Sequence, residues 1–324
     1  MELLLENAEV GKVLDLTDIA EKIKFQDQWN NGTAKFCFEY PAQVGDMYPN
    51  GSVVRFKYAN AGIFFGYLFT TSQDKSTYKC TCYDQLRYMK ASDTVMRKKM
   101  TLTQFVNLCA ANLQLRVGKF DNTELVLDDY LFDGKTYLDM VYDSIKENLL
   151  GNGYYYTLYD NFGALDLRDT LDLRLPLVLG DYSLATDFEY SKSIDEDTYN
   201  YVKVAQDNKD AGVRNSYCAE DVGNMKRWGK LMFYHKSSGN KNEAQLAELA
   251  NNILAAKNRE TQTLSIEAIG DVRVRGGSGI KVEIAEAGLD LWAVVDNVTH
   301  EFTRSIHTMK LNLIIGGPLS VKST

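Results

Sequence analysis

From Thr261 to Gly316 the chain alternates apolar and polar residues almost without a break. Leu264, Ile266 and Ala268 are separated by Ser265 and Glu267, and Ile280, Val282 and Ile284 by Lys281 and Glu283. A longer apolar run, Leu291 to Val295, continues through Val298 and Phe302. After a polar turn at Thr303 to Ser305, Met309, Leu311, Leu313 and Ile315 share one face. Such alternation puts one side of a strand on a core and the other toward water or a partner. Short strands joined by Gly-containing turns predict a small barrel or sandwich.

Residues 1 to about 90 carry the same period. Ala34, Phe36, Phe38 and Tyr40 alternate with polar or small residues, as do Val54, Phe56 and Tyr58. Ile63 to Thr70 reads as a hydrophobic strand, and Tyr78, Cys80 and Cys82 share a face of the next. Asn30-Asn31-Gly32 and Asn50-Gly51 are turn signals, because Asn and Gly tolerate positive φ. Between these regions the period changes. Thr101 opens a Thr-x-x-Gln capping box, followed by an apolar helical face of Leu102, Phe105, Val106, Cys109 and Leu113. Short strands are expected at Leu113 to Val117 and Glu124 to Leu127. A second helix should start at Thr136 and stop at Gly151. A hairpin then runs from Tyr154 to Tyr159 and from Ala164 to Arg168.

Beyond residue 176 the pattern is again β, with a strand at Tyr199 to Val204 and one helix between Asn242 and Asn258. Asp207 to Gly212 and Ser237 to Asn242 read as exposed loops, and Gly317 to Thr324 as a frayed tail. Gly62 and Gly288 open similar successions of apolar strand, polar turn and alternating strand, which suggests a duplication. The expected fold is therefore mainly β with an α+β insert: two tube-like β-barrel domains plus a smaller α/β domain. The expected boundaries are a first barrel at 1–91, the insert at 92–175, a second barrel with one helix at 176–317, and a flexible tail at 318–324.

At 324 residues the chain exceeds one ordinary core. Twenty tyrosines fit β structure and wet interfaces. A net charge of −8 argues against specific nucleic-acid binding, which draws its affinity from cations placed on phosphates. The one basic run, Arg97-Lys98-Lys99, reads as a solvated loop. No signal peptide is visible, and no apolar stretch reaches the roughly 18 residues of a spanning helix. Five cysteines at irregular spacing, Cys37, Cys80, Cys82, Cys109 and Cys218, do not make a disulfide framework.

Candidate chemistry is sparse. His300 and His307 fall on neighbouring strands of the last hairpin, with only Glu301 and Asp296 nearby as further ligands, and His235 is remote in sequence; a zinc site needs more. Packed, hydrogen-bonded histidines are the better reading. Cys80 and Cys82 lack a second thiol pair and read as core. Arg275-Gly276-Gly277-Ser278-Gly279 lacks the Lys-Ser or Lys-Thr of a phosphate loop and reads as a hairpin turn. Asp166, Asp169 and Asp172, and the run Asp195-Glu196-Asp197, read as solvated faces and turns. A glycosidase would need two carboxylates on one cleft. The sequence assigns no catalytic, cofactor-binding or metal residue and implies no cofactor.

A resemblance adds to this. Gly62-Ile63-Phe64-Phe65-Gly66-Tyr67, then Cys82-Tyr83-Asp84-Gln85-Leu86-Arg87-Tyr88-Met89, resembles baseplate hub proteins of contractile phage tails and phage-tail-like bacteriocins, the late-control-D-like hubs. The helix start Thr101-Leu102-Thr103-Gln104, Asn200 to Val204, Ile269-Gly270-Asp271, and the closing Val298-Thr299-His300 and Ile306 to Met309 follow in the same order. The segment Gln26-Asp27-Gln28-Trp29-Asn30-Asn31-Gly32 departs from that pattern. The resemblance implies a non-enzymatic homotrimer whose paired barrels form a pseudo-hexameric ring. Its partners would be the tail tube protein and the central spike protein, with tape measure and baseplate wedge proteins as further neighbours. Its place would be the tail baseplate of a virion or bacteriocin particle, after synthesis in the bacterial cytoplasm. Two other readings remain: a tail-associated cell-wall hydrolase, with Asp166, Asp169 and Glu301 as first candidates, and a carbohydrate-binding β module centred on Tyr154-Tyr155-Tyr156.

Overall fold

The structure, a computed structural model, describes residues 1–44, 47–180, 185–195, 197–208, 213–237 and 241–316. Glu196, residues 209–212 and 238–240 of the two expected loops, and the expected tail lie outside the described residues.

Among the described residues, thirteen strands belong to one sheet. Its path runs from Ala185–Ser193 through Thr261–Ile269, His307–Ile315 and Leu289–Phe302 to Glu21–Gln28. It continues through Lys35–Pro41, Thr77–Tyr83, Ala61–Gln73, Val53–Tyr58 and Glu2–Asn7 to Lys12–Asp15. Gly279–Ile284 pairs with Leu289–Phe302 and carries Arg174–Gly180 parallel to itself. The protein is mainly β, as the alternation predicts.

One sheet encloses two separate cores. The first gathers Leu3, Leu5, Phe36, Phe38, Val54, Phe56, Phe64, Leu68, Cys80 and Cys82. Its aromatic rings stack closely: Phe36 lies 4.8 Å from Phe64 and 5.0 Å from Phe56. Contacts of this kind add about 0.5–1.5 kcal/mol each beyond burial. The second core gathers Leu264, Ile266, Ile280, Val282, Val295, Leu311 and Leu313. The Leu291–Phe302 run is one strand, Leu289–Phe302, with a register shift between Val295 and Asn297. Glu21–Gln28 links the two cores by pairing with Leu289–Phe302 on one side and Lys35–Pro41 on the other. It alternates too, with Ile23, Phe25 and Asp27 inward against Lys24, Gln26 and Gln28.

The insert has its own core around Phe105, Val106, Cys109, Phe132, Met140, Val141 and Ile145. Its first helix, Leu102–Asn112, carries the predicted capping box, with Thr101 and Gln104 each satisfying the other's backbone N–H. The second helix, Tyr137–Asn152, starts at the N-cap Thr136 as expected but stops at Gly153, which takes a left-handed φ of 77°. Gly151 instead lies inside the helix, where a Cβ would meet Leu125 Cδ2 at 2.5 Å.

Arg97 is not solvated. It is fully buried at the end of the strand Ser92–Arg97, donating to Asp128 O (3.1 Å), Ser144 Oγ (2.8 Å) and Glu147 Oε2 (2.5 Å) between the rings of Phe105 and Phe132. Lys98 and Lys99 are exposed. The region after residue 193 also departs from expectation. It adds a three-stranded sheet, Val213–Glu220, Tyr201–Asn208 and Met232–Lys236, the last pair parallel. The helix Glu243–Lys257 covers it with Leu246, Ala250 and Ile253, and a second helix, Val222–Trp228, lies between the strands.

Candidate functional site: a polar junction between the two cores and the insert

The rungs that join the cores run from Asn297 opposite Gln28 to Phe302 opposite Ile23. Ile23 and Phe25 fill the first core, but the next inward position is Asp27, 5% exposed. The insert and the turn Arg275–Gly279 close over it. Asp27 Oδ2 accepts from Gly276 N (3.2 Å) and pairs with the Arg275 guanidinium (3.2 Å), while Oδ1 accepts from Gln28 N (3.1 Å). Arg275 also donates to Asp160 O (3.0 Å) and lies 3.9 Å over the Tyr159 ring, both in the insert.

Two more buried carboxylates stand beside this pair. Asp84 Oδ2 accepts from Ala34 N and Oδ1 from Leu86 N, each at 3.1 Å, which caps the turn Gln85–Lys90. Asp160 accepts from Gly163 N (2.7 Å) and from Gln85 Nε2 (2.8 Å). Three buried carboxylates therefore stand near one guanidinium, which pairs with Asp27 alone and touches Asp160 through its backbone carbonyl. Burial, reinforced by Asp160 and Asp27, pushes the Asp84 carboxyl well above its ordinary range, against the pull of the Ala34 N–H. Burial likewise raises Asp160 to about 6, opposed by Gly163, Gln85 and Arg275. Burial disfavours the charged form, so a carboxyl in such a place holds its proton to higher pH than a solvated one.

The segment that departs from the hub pattern builds the rest of the junction. Trp29 Nε1 donates to Thr157 Oγ1 (2.9 Å), and the Trp29 ring meets Tyr155 edge-on at 4.7 Å. Asn30 brackets the insert hairpin, donating to Tyr156 O (2.7 Å) and accepting from Leu158 N (3.0 Å). Tyr142 donates to Gly32 O (3.0 Å). The Arg275–Gly279 turn is not a hairpin, because the strands it separates, Thr261–Ile269 and Gly279–Ile284, are not paired. Its glycines serve close approach: a Cβ at Gly276 would lie 2.5 Å from Gln28 C.

At the other end of the same rungs His300 and His307 meet. His300 Nε2 lies 2.9 Å from Val274 O and must carry the hydrogen, so His300 Nδ1 accepts from His307 Nε2 at 2.9 Å. Phe302 stacks on His307 at 4.3 Å, and Phe25 stacks on His300 at 6.0 Å. Burial lowers both rings to about 4, and each proton added to His300 would also face that of His307. Gly270 leaves the room this requires, since a Cβ there would sit 2.3 Å from the His307 ring.

The remaining candidates are spread apart. Asp166 is buried, accepting from Lys119 N (2.7 Å) and Asn161 Nδ2 (3.0 Å), which corrects the solvated reading. Asp169 caps the turn Thr170–Leu173, and Asp172 is exposed near Arg168. Glu301 pairs with Lys24 across the joining rungs, and Asp296 gives its carbonyl to Trp29 N (2.7 Å). Asp195 and Asp197 are exposed. His235 lies on the strand Met232–Lys236 and borders a cleft of about 430 Å3 beside the insert. Cys80 and Cys82 are buried, and burial raises both thiols. Of Tyr154, Tyr155 and Tyr156, only Tyr154 is well exposed, at 41%. No group of three or more His, Cys, Asp or Glu side chains among the described residues could hold a metal ion. Sequence reasoning missed the junction because Asp27, Asp84, Asp160 and Arg275 are far apart in the chain. The one local signal was a carboxylate at an inward position of an alternating strand.

Comparison with known proteins fits this fold. Over 269 residues the chain is 30% identical to the uncharacterized protein YqbQ of Bacillus subtilis, covering 82% of this chain and 81% of that one. It is 28% identical over 268 residues to the phage-like element PBSX protein XkdQ of the same organism, with the same coverage. Among solved structures, a 43 kDa tail protein of prophage MuSo2 from Shewanella oneidensis superposes with a TM-score of 0.70 at 12% identity, over 99% of this chain and 100% of that one. An Escherichia coli type VI secretion component, described as structurally similar to the T4 tail proteins gp27 and gp5, gives 0.56 at 11% identity, over 91% of this chain and 72% of that one. The family model YQBQ-like matches residues 23–314, which begin inside the linking strand and end inside the last one; the chain belongs to the YqbQ-like family.

Proposed function

We propose that this protein is a structural part of a phage-type tail, and specifically the baseplate hub that joins the tail tube to the central spike without catalysing a reaction. Three copies would form the ring, each contributing the two sheet-enclosed cores as quasi-equivalent units, so that a threefold assembly presents sixfold contacts to the tube. The observation that carries this reading is the linking strand Glu21–Gln28. It makes the two cores neighbours in one hydrogen-bonded sheet, so their relative orientation is set within each chain before any partner arrives. Kinship with a phage-element protein and the fold shared with prophage tail proteins support it. The likeness to a type VI component described through gp27 and gp5 supports the spike as partner. A head-to-tail contact closes into a ring when its rotation allows. Pairing across copies would also cover the sheet's terminal strands, Ala185–Ser193 and Lys12–Asp15, whose open edges otherwise invite aggregation.

The direct test is light scattering after size exclusion on the purified chain, alone and with its cognate spike. A trimer, or a three-to-three complex with the spike, is expected. A chain that stays monomeric and ignores the spike overturns the reading, and peptidoglycan degradation by the pure chain would overturn its non-enzymatic part.

A further inference from the structure

The strand Ala61–Gln73 turns Phe64 and Leu68 into the first core, leaving them 2% and 1% exposed. Its opposite face should be polar if it met only water. Instead Phe65, Tyr67 and Phe69 stand on it. They continue into a chain of rings: Phe65 to Tyr67 at 6.3 Å, Tyr67 to Tyr88 at 5.5 Å, Tyr88 to Phe69 at 5.9 Å, and Phe69 to Tyr83 at 5.5 Å. Phe65, Tyr67 and Tyr88 wall a groove of about 520 Å3 between the first core and the insert, and Tyr88 is 41% exposed.

The one charged side chain that lines this groove is a cation, Arg116. None of its lining residues is a carboxylate, in a chain with 44 of them. Arg116 stands in the lining, exposed and with no ion pair among the described residues. Arg87, next to the lining residue Tyr88, lies over the rings of Phe69 (5.5 Å) and Tyr83 (6.0 Å) and has no ion pair among the described residues. Most other arginines here are engaged with a carboxylate. The mounting is rigid: Gln85 accepts from Arg116 N (3.1 Å) and donates to Arg116 O (3.3 Å), which ties the backbone of Arg116 to the junction.

We propose that this groove binds an extended acidic segment of a partner protein, with proline or other apolar side chains on the rings of Phe65, Tyr67 and Tyr88 and carboxylates on Arg116 and Arg87. Aromatic grooves take extended, proline-containing chains because rigid rings match a segment that loses little entropy on binding. Unpaired guanidiniums select carboxylates in planar, two-point geometry. A single-stranded nucleic acid would also stack on rings, but it needs a basic track along its phosphates. Two arginines on a chain of net charge −8 do not make one. The inference stands on the groove and holds whether or not the chain forms a ring.

The test uses the full chain and a positional-scanning hexapeptide library, each pool fixing one residue at one position, with dT12 and chitohexaose as separate probes. Wild-type protein should enrich pools that fix Asp or Glu together with those that fix Pro, Leu or Trp. Arg116→Glu, an exposed change, should lower binding of the acidic pools at least tenfold and favour Lys and Arg pools. Tyr67→Ala should weaken the apolar preference while leaving the thermal transition close to that of wild type. The proposal is overturned if no pool stands out, if both variants keep the wild-type preferences, or if dT12 or chitohexaose binds and the peptides do not.

Discussion

The two ends of the joining rungs bury polar groups in opposite ways. Val298 lies opposite Asp27 and His300 opposite Phe25, so the two clusters are two residues apart on the same pair of strands. At one end Arg275 pairs with Asp27 beside two further buried carboxylates, Asp84 and Asp160, whose burial makes them hold protons to higher pH than usual. At the other, two neutral imidazoles pass hydrogen bonds in one direction to Val274 O, and protons are kept out. The pH dependences are therefore opposite in sign. Asp84 and Asp160 bind protons more tightly folded than unfolded, so their contribution is full below about pH 4 and is lost as pH rises through their folded values, about 6 for Asp160. His300 and His307 bind protons less tightly folded, so theirs is full above about pH 6.5 and is lost as pH falls toward 4. The two windows overlap, and the terms offset each other there. A seam built from either cluster alone would weaken on one side of that window.

Removing Arg275 should have the largest effect. Arg275→Met leaves Asp27 buried without its countercharge, and breaking a buried pair in this way costs about 3–5 kcal/mol. Urea unfolding at pH 7.5 and pH 4.5 should show a smaller loss at the lower pH, where Asp84 and Asp160 hold protons and the cluster carries less negative charge. An equal loss at both would mean that Arg275 acts by packing over Tyr159 rather than by charge.

His300→Phe comes next. It strips Val274 O and the His307 N–H of partners, for a loss of about 1–3 kcal/mol at pH 7.5. The decline in stability between pH 6.5 and 4 should flatten, because the depressed imidazole that causes it is gone. A profile parallel to wild type would assign the acid response elsewhere. Asp160→Asn should do the reverse, flattening the decline between pH 4 and 6. The two variants measured together should give profiles that tilt in opposite directions.

Trp29→Phe keeps the ring against Tyr155 but loses the hydrogen bond to Thr157, a loss of about 1 kcal/mol with little dependence on pH. Lys24→Ala is the smallest change. Its pair with Glu301 crosses the same rungs, yet both side chains are about half exposed, and such pairs contribute roughly 0–1 kcal/mol. A large effect there would show that the seam depends on its surface charges as much as on its buried ones.

Much of the architecture could be read from the chain. The capping box at Thr101, the helix start at Thr136 and the alternating strands from Thr261 to Ile315 all rest on neighbours within a few residues, and the structure has them. The linking strand was just as legible by period, but Asp27 at an inward position and the turn-rich run after it hid the signal. Gly151 reads as a helix stop in sequence because chain order alone cannot distinguish a glycine at a cap from one that makes room for Leu125. Arg97 reads as solvated for a similar reason: its acceptors, Asp128, Ser144 and Glu147, come 31 to 50 residues later.

By itself the sequence determined the capped helices and most of the alternating strands of the two cores, because hydrophobic period and end-capping are short-range properties of neighbouring side chains. It also set the sign of the overall charge. Tertiary structure alone decided that Asp27, Asp84, Asp160 and Arg275 share one site, and that His300 Nδ1 accepts from His307. Those relations depend on the register between the strands Glu21–Gln28 and Leu289–Phe302, nearly 270 residues apart in the chain. That register is chosen by the packing of both cores together.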